Sequence, residues 1–475
     1  MPTTATTPVT AARREAEIMN RVSKRSAFAL VLAFALLAGL VLFCVRYVVE
    51  AGQWVTYPGS PHLYTGSNLN TGVVFDRAGQ TLLDSADGRA YDADAEVRAA
   101  TIHLLGDRDG YIPSPLLDHY ASRMIGYSRI TGVSSAKAGT GRMTMTIDAG
   151  VQAKALQLLA GRAGTIGVYN YKTGEILCSV TSPTYDPDNV PDVAGDTTGQ
   201  YDGVYVNRFL NAKYIPGSIF KLVTAAAAIE NISDIDSQTF TCEGSYEVGG
   251  QKITCEGVHG QIGFTQALAQ SCNCAFGQIA QQLGIQTMET YAEKLGITAP
   301  LEFDGLKTAA GNLDLAGATQ GDLAWAGIGQ HNDQINACQY MTLMGAIAAG
   351  GKTASPYYVS EITLGDHTAY TASQKTLDYG LKQETTQRLA QMMRNNVETI
   401  YGAGQFGSLT VCAKSGTAEV GGDQTPNAMF AGFVQDDAYP LAFIVAVEHG
   451  GSGSATCAPI AAAVLQACAA AMDAG

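Results

Sequence analysis

Three short motifs stand out because their side chains together could carry out acyl transfer. They are Ser218-Ile-Phe-Lys221, Ser271-Cys-Asn273 and Lys414-Ser-Gly-Thr417, in that order along the chain. A serine hydroxyl is a poor nucleophile until a base takes its proton. A lysine serves as that base only when burial or a nearby cation lowers its pKa. The combination therefore predicts a serine nucleophile assisted by lysines.

Sequence context separates these motifs from chance copies. Ser-x-x-Lys also occurs at residues 134–137 and Lys-[Ser/Thr]-Gly at residues 172–174, whereas Ser-x-Asn occurs once. The first copy lies in a Gly- and Ser-rich stretch, Tyr127 to Gly141, that predicts a linker. The second lies in the turn of a predicted hairpin. Neither copy is expected to belong to a site.

The first motif lies at the start of a predicted helix. Pro216 and Gly217 predict a turn, and the apolar run after Ser218 predicts a helix up to Glu230. Free N–H groups at a helix start favour a developing oxyanion, and Lys221 lies on the same face one turn later. Taken alone, the pattern also fits a buried helix whose lysine extends outward to solvent.

The second motif lies on a predicted turn between two helices, at residues 265–270 and 275–283, and Gly284 ends the second helix. We expect Ser271 to relay protons beside the lysine of the first motif. The amide of Asn273 is placed to hold a peptide group of a substrate. Helix capping is the alternative role, since serine and asparagine both favour helix starts.

The third motif lies in a predicted strand, Leu409 to Glu419, with Gly416 in its interior. Glycine there indicates close approach of another backbone, and a substrate peptide could pair along this strand. Lys414 would attract a substrate carboxylate and help to lower the pKa of the first lysine. Ser415 and Thr417 would offer hydroxyls to the same carboxylate. The alternative is a surface strand with an exposed lysine.

The elements around the motifs predict an α+β domain that begins at residue 143. Strands at both ends of this region, with helices between them, imply one antiparallel five-stranded sheet that carries an all-helical lobe. An Ala-rich helix is predicted at residues 458–472. The strands of the sheet are predicted within 164–181 and at 409–419, 428–434 and 441–448, and a further strand and helix are predicted at 143–148 and 151–160.

A small mixed α+β domain with a linker is predicted at residues 46–142, ahead of the larger domain. Residues 72–85 predict two short strands around a turn from Asp76 to Gly79, and residues 96–105 predict a helix.

The segment from Ala27 to Val45 contains no charged residue and is long enough to cross a hydrocarbon core of ~30 Å. Five basic residues precede it and only Arg46 follows closely, which predicts a cytoplasmic tail at residues 1–26. We expect an uncleaved anchor at residues 27–45, with a cleaved signal peptide as the alternative. The net charge of −14 argues against nucleic acid as a partner.

Ten cysteines occur in the chain, one of them inside the predicted anchor. The odd number left outside cannot all pair within one chain, so free thiols are expected. Cys242 and Cys255 flank a Gly-rich loop and form the expected disulfide. A metal site from these two and His259 is the alternative, but their spacing matches no common zinc pattern, and we predict none. Cys272 and Cys274 are expected to be packing residues.

The three motifs, in this order and setting, resemble those of the penicillin-binding proteins and serine β-lactamases. Stretches such as TIDAGVQAKALQLL, YNYKTGEILCSVTSPTYDP and NRFLNAKYIPGSIFK are similar to class B (monofunctional) penicillin-binding transpeptidases. The resemblance implies helices on both faces of the sheet. It also implies a role for each site residue: Ser218 as acylated nucleophile, Lys221 as base, Ser271 as relay, Asn273 as amide ligand, Lys414, Ser415, Gly416 and Thr417 as carboxylate site, and the backbone N–H groups of Ser218 and Thr417 as oxyanion hole.

The reaction implied by this resemblance is peptidoglycan cross-linking. The serine attacks the penultimate D-alanine carbonyl of a D-Ala-D-Ala stem peptide, terminal D-alanine leaves, and an amine of a neighbouring stem takes the acyl group. β-Lactam antibiotics would acylate the same serine, and no cofactor is implied. The expected protein partner is a multi-pass SEDS-type glycosyltransferase that polymerises the glycan.

Other functions fit the same motifs. A D,D-carboxypeptidase uses the same residues with water as the acceptor. A β-lactamase needs a deacylating base, for which Glu289, Glu293 and Glu361 are candidates. A non-enzymatic β-lactam sensor is disfavoured by the short predicted cytoplasmic tail, and a scaffold with an inactive site is the last alternative.

Overall fold

The structure is a computed structural model that describes residues 8–55, 57, 64–65, 68–69, 71–85, 88–128, 132–133 and 141–474. The chain divides into two compact units, Met1–Tyr57 with Tyr127–Ser134, and Pro58–Gly126 with Ser135–Gly475. The Ser-x-x-Lys copy at residues 134–137 lies outside the described residues, as does most of the predicted linker.

Helices are distributed along the whole described chain. Their bounds are α1 Pro8–Val55, α2 Ala95–Leu105, α3 Pro115–Met124, α4 Ala149–Leu159, α5 Arg208–Asn211, α6 Lys221–Asn231, α7 Phe264–Ala269, α8 Asn273–Lys294, α9 Gln320–Ala326, α10 Ala337–Ala348, α11 Gln383–Asn396 and α12 Gly453–Ala474.

Strands alternate with these helices. Their bounds are β1 Tyr64–Thr65, β2 Asn68–Leu69, β3 Gly72–Phe75, β4 Thr81–Asp84, β5 Ala90–Tyr91, β6 Tyr127–Ser128, β7 Gly132–Val133, β8 Gly141–Met145, β9 Gly164–Asn170, β10 Ile176–Ser182, β11 Thr239–Cys242, β12 Ser245–Val248, β13 Gln251–Thr254, β14 Gly260–Gly263, β15 Glu302–Phe303, β16 Leu306–Lys307, β17 Lys352–Ala354, β18 Val359–Leu364, β19 His367–Thr371, β20 Thr376–Asp378, β21 Val411–Ala418, β22 Asn427–Val434 and β23 Leu441–Val447.

The first unit contains α1, and the predicted apolar segment at residues 27–45 lies within this helix. The stretch Ala12–Ala51 is long and apolar enough to cross a membrane, and none of its most apolar part is buried. Helix α12 is also long and apolar enough, but it packs against the central sheet and 44% of its apolar window is buried. Of the two helices, α1 is therefore the candidate membrane anchor.

The centre of the second unit is an antiparallel sheet of five strands in the order β10-β9-β23-β22-β21. Successive side chains point to opposite faces. Phe430 of β22 packs with α4 and α12, whereas Met429 and Ala431 pack with α10 on the other side. The predicted five-stranded sheet with helices on both faces is confirmed, and the last three strands begin and end within two residues of their predicted bounds.

The Lys-Thr-Gly copy at residues 172–174 is a turn, as the sequence predicts. The Asn170 side-chain oxygen accepts hydrogen bonds from the backbone N–H groups of Lys172 and Thr173, at 2.9 and 3.0 Å. Gly174 has a φ of +93°, and a Cβ there would lie 2.3 Å from the Ser355 carbonyl oxygen. Only glycine fits this connection between β9 and β10.

The lobe beside the sheet is mainly but not entirely helical. Helices α6 and α9 pack against α8, which Gly284 interrupts with a φ of +75° where the sequence predicts a helix end. Two small sheets, β11 with β14 and β12 with β13, also belong to this region. Burial alternates along β11, the pattern of a strand with one face covered, which the all-helical prediction overlooked.

A second sheet, in the order β19-β18-β8-β3-β4-β5, includes the predicted strands around residues 76–79. The Asp76 carboxylate accepts hydrogen bonds from the backbone N–H groups of Ala78 and Gln80 and so forms the predicted turn. The predicted domain boundary between residues 142 and 143 falls inside β8, and β18 pairs with β8. The region predicted as a small separate domain therefore shares one sheet with residues of the larger domain. This pairing joins distant segments and has no local signal in the sequence.

Candidate active site

A tight turn presents the serine of the first motif. Residues Gly217–Phe220 form one turn of 3-10 helix that continues into α6, and Ser218 within it is half-buried. The backbone N–H of Gly217 donates to the Gly329 carbonyl oxygen at 3.0 Å. The Tyr340 hydroxyl donates to the Ile219 carbonyl oxygen at 2.6 Å. These two contacts hold the turn from both sides. Ser218 lies at the start of the helix, as predicted.

Lys221 lies beneath Ser218 and is fully buried. Its Nζ is 3.0 Å from Ser218 Oγ. The same Nζ donates to the Ser271 carbonyl oxygen and to Asn273 Oδ1, both at 2.6 Å. These two acceptors use both protons of a neutral amine and leave its lone pair free for the serine hydroxyl. The geometry therefore suits lysine as the base.

The electrostatics of the site favour that neutral form. Burial lowers the pKa of Lys221 to about 7, and the positive charge of Lys414 is the second cause of the lowering. Burial likewise lowers the pKa of Lys414 to about 7, while the Glu256 carboxylate acts in the opposite direction on both lysines. A base with a pKa near neutrality is efficient at physiological pH. Lys414, the lysine of the third motif, thus lowers the pKa of Lys221 as the sequence predicts.

Ser271 joins the two lysines. Its Oγ lies 3.2 Å from Lys221 Nζ and 3.0 Å from Lys414 Nζ. The residue has a φ of +52°, a conformation that costs energy for any residue except glycine. Strain of this kind persists where the surroundings impose it, and here it aims the hydroxyl at both amines. Ser271 therefore lies where a proton relay between the two lysines needs a hydroxyl, as the sequence predicts.

Asn273 is the first residue of α8, immediately after the turn. Its side-chain oxygen accepts from Lys221, and its Nδ2 donates to the Thr254 carbonyl oxygen at 2.8 Å. Its backbone N–H donates to Cys255 Sγ at 3.3 Å. The amide is therefore oriented by two protein partners, which the sequence alone does not reveal.

The third motif lies on β21, which is an edge strand of the central sheet. Lys414 and Gly416 are buried, whereas Ser415 and Thr417 are half-exposed, as alternation along a strand requires. Tyr401, which sequence reasoning missed, places its hydroxyl 2.9 Å from Ser415 Oγ and accepts from the Ser415 backbone N–H at 2.9 Å. It precedes β21 in a segment without a recognisable pattern.

The serine turn and β21 are in close backbone contact. A Cβ on Gly217 would lie 2.4 Å from the Thr417 carbonyl oxygen, and a Cβ on Gly416 would lie 2.8 Å from the Pro216 carbonyl oxygen. Glycine at both positions is therefore required for the two motifs to meet. The close approach predicted for the interior glycine of this strand is present.

Cys242 and Cys255 are both free thiols, so the structure does not contain the expected disulfide. His259 Nδ1 lies against both of them, 3.4 Å from Cys242 Sγ and 3.5 Å from Cys255 Sγ. Cys272, expected to be a packing residue, joins the same group, and the four ligand atoms lie within 4.8 Å of one another. Cys242, Cys255 and His259 form the metal-site alternative that the sequence offers, and Cys272 is a fourth side chain that no spacing pattern indicates.

The carboxylates considered as β-lactamase bases have other partners. Glu289 Oε1 accepts from the backbone N–H of Leu315 at 3.2 Å. Glu361 lies on β18 in the second sheet, where its carboxylate accepts from the Thr368 hydroxyl. Glu293 is exposed on α8. None of the hydrogen bonds described for these residues connects them to the serine or the lysines.

Known proteins resemble this chain in sequence and in fold. Residues 164–466 match the family model described as penicillin binding protein transpeptidase domain. Peptidoglycan D,D-transpeptidase PbpA of Mycobacterium tuberculosis is 26% identical over 331 residues, which cover 64% of this chain and 66% of PbpA, slightly less than two thirds of the relative.

Two solved structures share the fold. Penicillin-binding protein A from M. tuberculosis, solved as a ceftriaxone acyl-enzyme complex, superposes with a TM-score of 0.71 at 22% identity, covering 84% of this chain and 98% of that chain. The D,D-transpeptidase domain of a peptidoglycan glycosyltransferase from Eggerthella lenta has a TM-score of 0.71 at 23% identity, covering 85% and 99%.

Proposed function

Because this chain belongs to the penicillin-binding protein transpeptidase domain family, we propose that it is a peptidoglycan D,D-transpeptidase that works through an acyl-enzyme on Ser218. The observation that carries the proposal is the buried Lys221 amine, 3.0 Å from the serine Oγ, with both of its protons engaged elsewhere. Support also comes from the relative named a peptidoglycan D,D-transpeptidase.

Acylation begins when Ser218 Oγ attacks the carbonyl of the penultimate D-alanine and its proton passes to the neutral amine of Lys221. Negative charge develops on the carbonyl oxygen, where the backbone N–H groups of Ser218 and Thr417 stabilise it. The C–N bond then breaks. The departing D-alanine amine takes a proton that returns from Lys221 through the hydroxyl of Ser271. In the second half, an acceptor amine attacks the ester carbonyl and gives a proton to Lys221. The ester C–O bond then breaks, and Lys221 returns this proton to Ser218 Oγ, which restores the free enzyme.

The donor peptide is held along β21. Its terminal carboxylate lies near Lys414 and the hydroxyls of Ser415 and Thr417, which are the half-exposed positions of the strand. Its backbone pairs with the free edge of this strand, and Asn273 contacts a peptide amide. A cation and hydroxyls recognise a carboxylate by charge-assisted hydrogen bonds. β-Lactams carry a carboxylate and a strained amide, so they occupy the same site and acylate the same serine.

The acyl-enzyme is tested by incubating the detergent-solubilised chain with a fluorescent penicillin and locating the adduct by peptide mass spectrometry. We expect a long-lived adduct on Ser218 that is absent in Ser218→Ala. An adduct elsewhere, or labelling that persists in the variant, would contradict the proposal. Rapid turnover of the penicillin without a lasting adduct would identify a β-lactamase.

Transpeptidation is distinguished from carboxypeptidation by the fate of the acyl group. With a lipid-linked peptidoglycan donor, we expect D-alanine release to be accompanied by cross-linked dimers. A D,D-carboxypeptidase would release the same D-alanine but leave tetrapeptide stems without dimers. Ser218→Ala serves as the control, because neither product forms without the nucleophile.

We further propose four segments: a cytoplasmic tail at residues 1–26, a transmembrane anchor at 27–45, a membrane-proximal region with linker at 46–142 and the transpeptidase domain at 143–475. The apolar helix α1 is compatible with the anchor. The orientation is tested with an epitope tag placed either in the tail or just beyond Arg46. Protease added to spheroplasts should remove only the second tag.

A SEDS-type glycosyltransferase is the proposed partner, on the strength of the family resemblance. The two proteins are expected to co-purify from membranes. The polymerase is expected to make more glycan when this chain is present, including the Ser218→Ala variant, because a scaffolding contact does not need the nucleophile. Failure of both co-purification and stimulation would contradict the partnership.

A further inference from the structure

Four side chains beside the active site form a cluster that the proposed reaction does not use. This cysteine cluster consists of Cys242, Cys255, His259 and Cys272, whose ligand atoms lie within 4.8 Å of one another. Cys242 ends β11, Cys255 and His259 lie on the loop between β13 and β14, and Cys272 precedes α8. Three separate segments therefore converge on one point.

Two separations within the cluster match those of a tetrahedral metal shell. Zinc binds thiolate sulfur at about 2.3 Å and imidazole nitrogen at about 2.0 to 2.1 Å, so a tetrahedral ion separates sulfur from nitrogen by about 3.6 Å. The measured separations are 3.4 Å for Cys242 Sγ to His259 Nδ1 and 3.5 Å for Cys255 Sγ to the same nitrogen. The same nitrogen lies close to both sulfurs, as it would if all three atoms bound one metal ion.

Backbone donors around the sulfurs provide a second observation. The N–H of Asn273 donates to Cys255 Sγ at 3.3 Å, and the N–H of Ala275 donates to Cys272 Sγ at 3.4 Å. Such bonds stabilise thiolate, the form that coordinates metal, and they are typical of the groups that orient metal ligands. Cys242 and Cys272 are fully buried, which protects a bound ion from exchange.

We propose that the cysteine cluster is a Cys3His site for Zn2+ that fixes the Ser271–Asn273 turn. Thiolates with one imidazole select zinc over hard cations such as Mg2+ and Ca2+. Binding displaces the three thiol protons to solvent, and His259 coordinates as a neutral ring. With four protein ligands the shell is closed, so the ion is structural and takes no part in acyl transfer.

The site acts on the catalytic residues through Cys272. This cysteine lies between Ser271, whose hydroxyl contacts both lysines, and Asn273, whose amide accepts from Lys221. A bond from Cys272 to the ion ties their shared turn to β11 and to the loop after β13. The cluster residues are thus positioning residues, and this part of the inference rests on the proposed function.

The first test is the metal content of the full-length chain, purified in detergent without added chelator. We expect about one zinc per chain in the wild type and at least a ten-fold lower content in Cys255→Ala and His259→Ala. Cys338→Ala removes a buried thiol outside the cluster and should retain the wild-type zinc. Circular dichroism identifies any variant that fails to fold.

Cobalt substitution keeps the test independent of folding defects. The wild-type chain loaded with Co2+ should show thiolate-to-cobalt charge-transfer bands and the intense visible bands of tetrahedral cobalt. Less than a tenth of an equivalent of zinc together with absent cobalt bands would overturn the site. A Cys242–Cys255 disulfide in the purified protein, seen as a loss of two hydrogens by mass spectrometry, would overturn it as well.

Penicillin labelling after chelation separates this inference from the proposed function. Removal of zinc should slow acylation of Ser218 at least ten-fold, and zinc should restore the rate. Unchanged acylation after complete zinc loss would overturn the positioning role. If Ser218 never acylates, the proposed function fails, yet zinc content and cobalt spectra still decide whether the site exists.

Discussion

Lys221 and Lys414 share one hydrogen-bond partner, since their Nζ atoms lie 3.2 and 3.0 Å from the hydroxyl of Ser271. Both amines are fully buried. Two ammonium groups this close in a dry site repel each other, so loss of a proton from one favours retention of the proton by the other. The pair therefore has a state in which Lys221 is neutral and able to act as base while Lys414 is charged and able to bind a carboxylate.

The first prediction is a bell-shaped pH dependence of acylation centred near neutrality. Below the pKa of Lys221, about 7, its amine is protonated and has no lone pair for the serine proton. At higher pH, Lys414 loses its proton and its attraction for the carboxylate. The second-order rate constant with a fluorescent penicillin, measured from about pH 5.5 to about pH 9.5, should show both limbs. A flat profile would contradict the role of these lysines.

The second prediction concerns Glu256, an exposed carboxylate that raises the pKa of both lysines. Glu256→Gln removes this negative charge, so both pKa values fall and both limbs of the pH profile move to lower pH. Glu247→Gln is the matched control. This exposed carboxylate on β12 is not among the causes of the pKa shift of either lysine. A shift to higher pH, or equal shifts in both variants, would be incompatible with this account.

The third prediction separates the hydroxyl of Ser271 from its backbone. Ser271→Ala and Ser271→Gly both remove the relay, so each should lower the acylation rate on the order of 10² to 10⁴-fold. The φ of +52° favours glycine, so Ser271→Gly should be the more stable variant by about 1 kcal/mol in urea unfolding. Recovery of activity in Ser271→Gly alone would show that backbone strain, not the hydroxyl, is what matters.

The fourth prediction tests the contact between the serine turn and β21. Gly217→Ala places a methyl group 2.4 Å from the Thr417 carbonyl oxygen and should abolish penicillin labelling. Gly284→Ala is the control, because this glycine also has positive φ but its Cβ would meet nothing within 4 Å. The control should lose about 1 to 2 kcal/mol of stability and keep its labelling. Equal labelling in the two variants would refute the contact.

Local patterns account for what the sequence predicted well. The helix after Ser218 and the strand around Lys414 each follow from hydrophobic periodicity within a few residues. The three motifs could be expected to meet in one site only because their residue types complement one another chemically. The position of Tyr401 and the partners of Asn273 depend on how distant segments pack, and no periodicity reports that.

The cysteines also show that contacts between distant segments cannot be read from local sequence. Cys242 and Cys255 flank one loop, and proximity in sequence suggested a disulfide. The structure instead brings Cys272 from the far side of α7 to the same point. A ligand set drawn from three segments has no regular spacing, so the usual zinc patterns could not reveal it. The strand pairing of β8 with β18, which crosses the predicted domain boundary, was hidden for the same reason.

The position of β21 at the edge of the central sheet also has a consequence for solubility. An unpaired edge that can receive a substrate peptide can equally pair with a strand of another molecule, and exposed edges are where aggregation begins. The same strand carries a charged residue, Lys414, and a poor strand former, Gly416, in its interior. Both disfavour pairing with an arbitrary apolar strand. Lys414 and Gly416, which belong to the substrate site, therefore also reduce self-association of the protein through this edge.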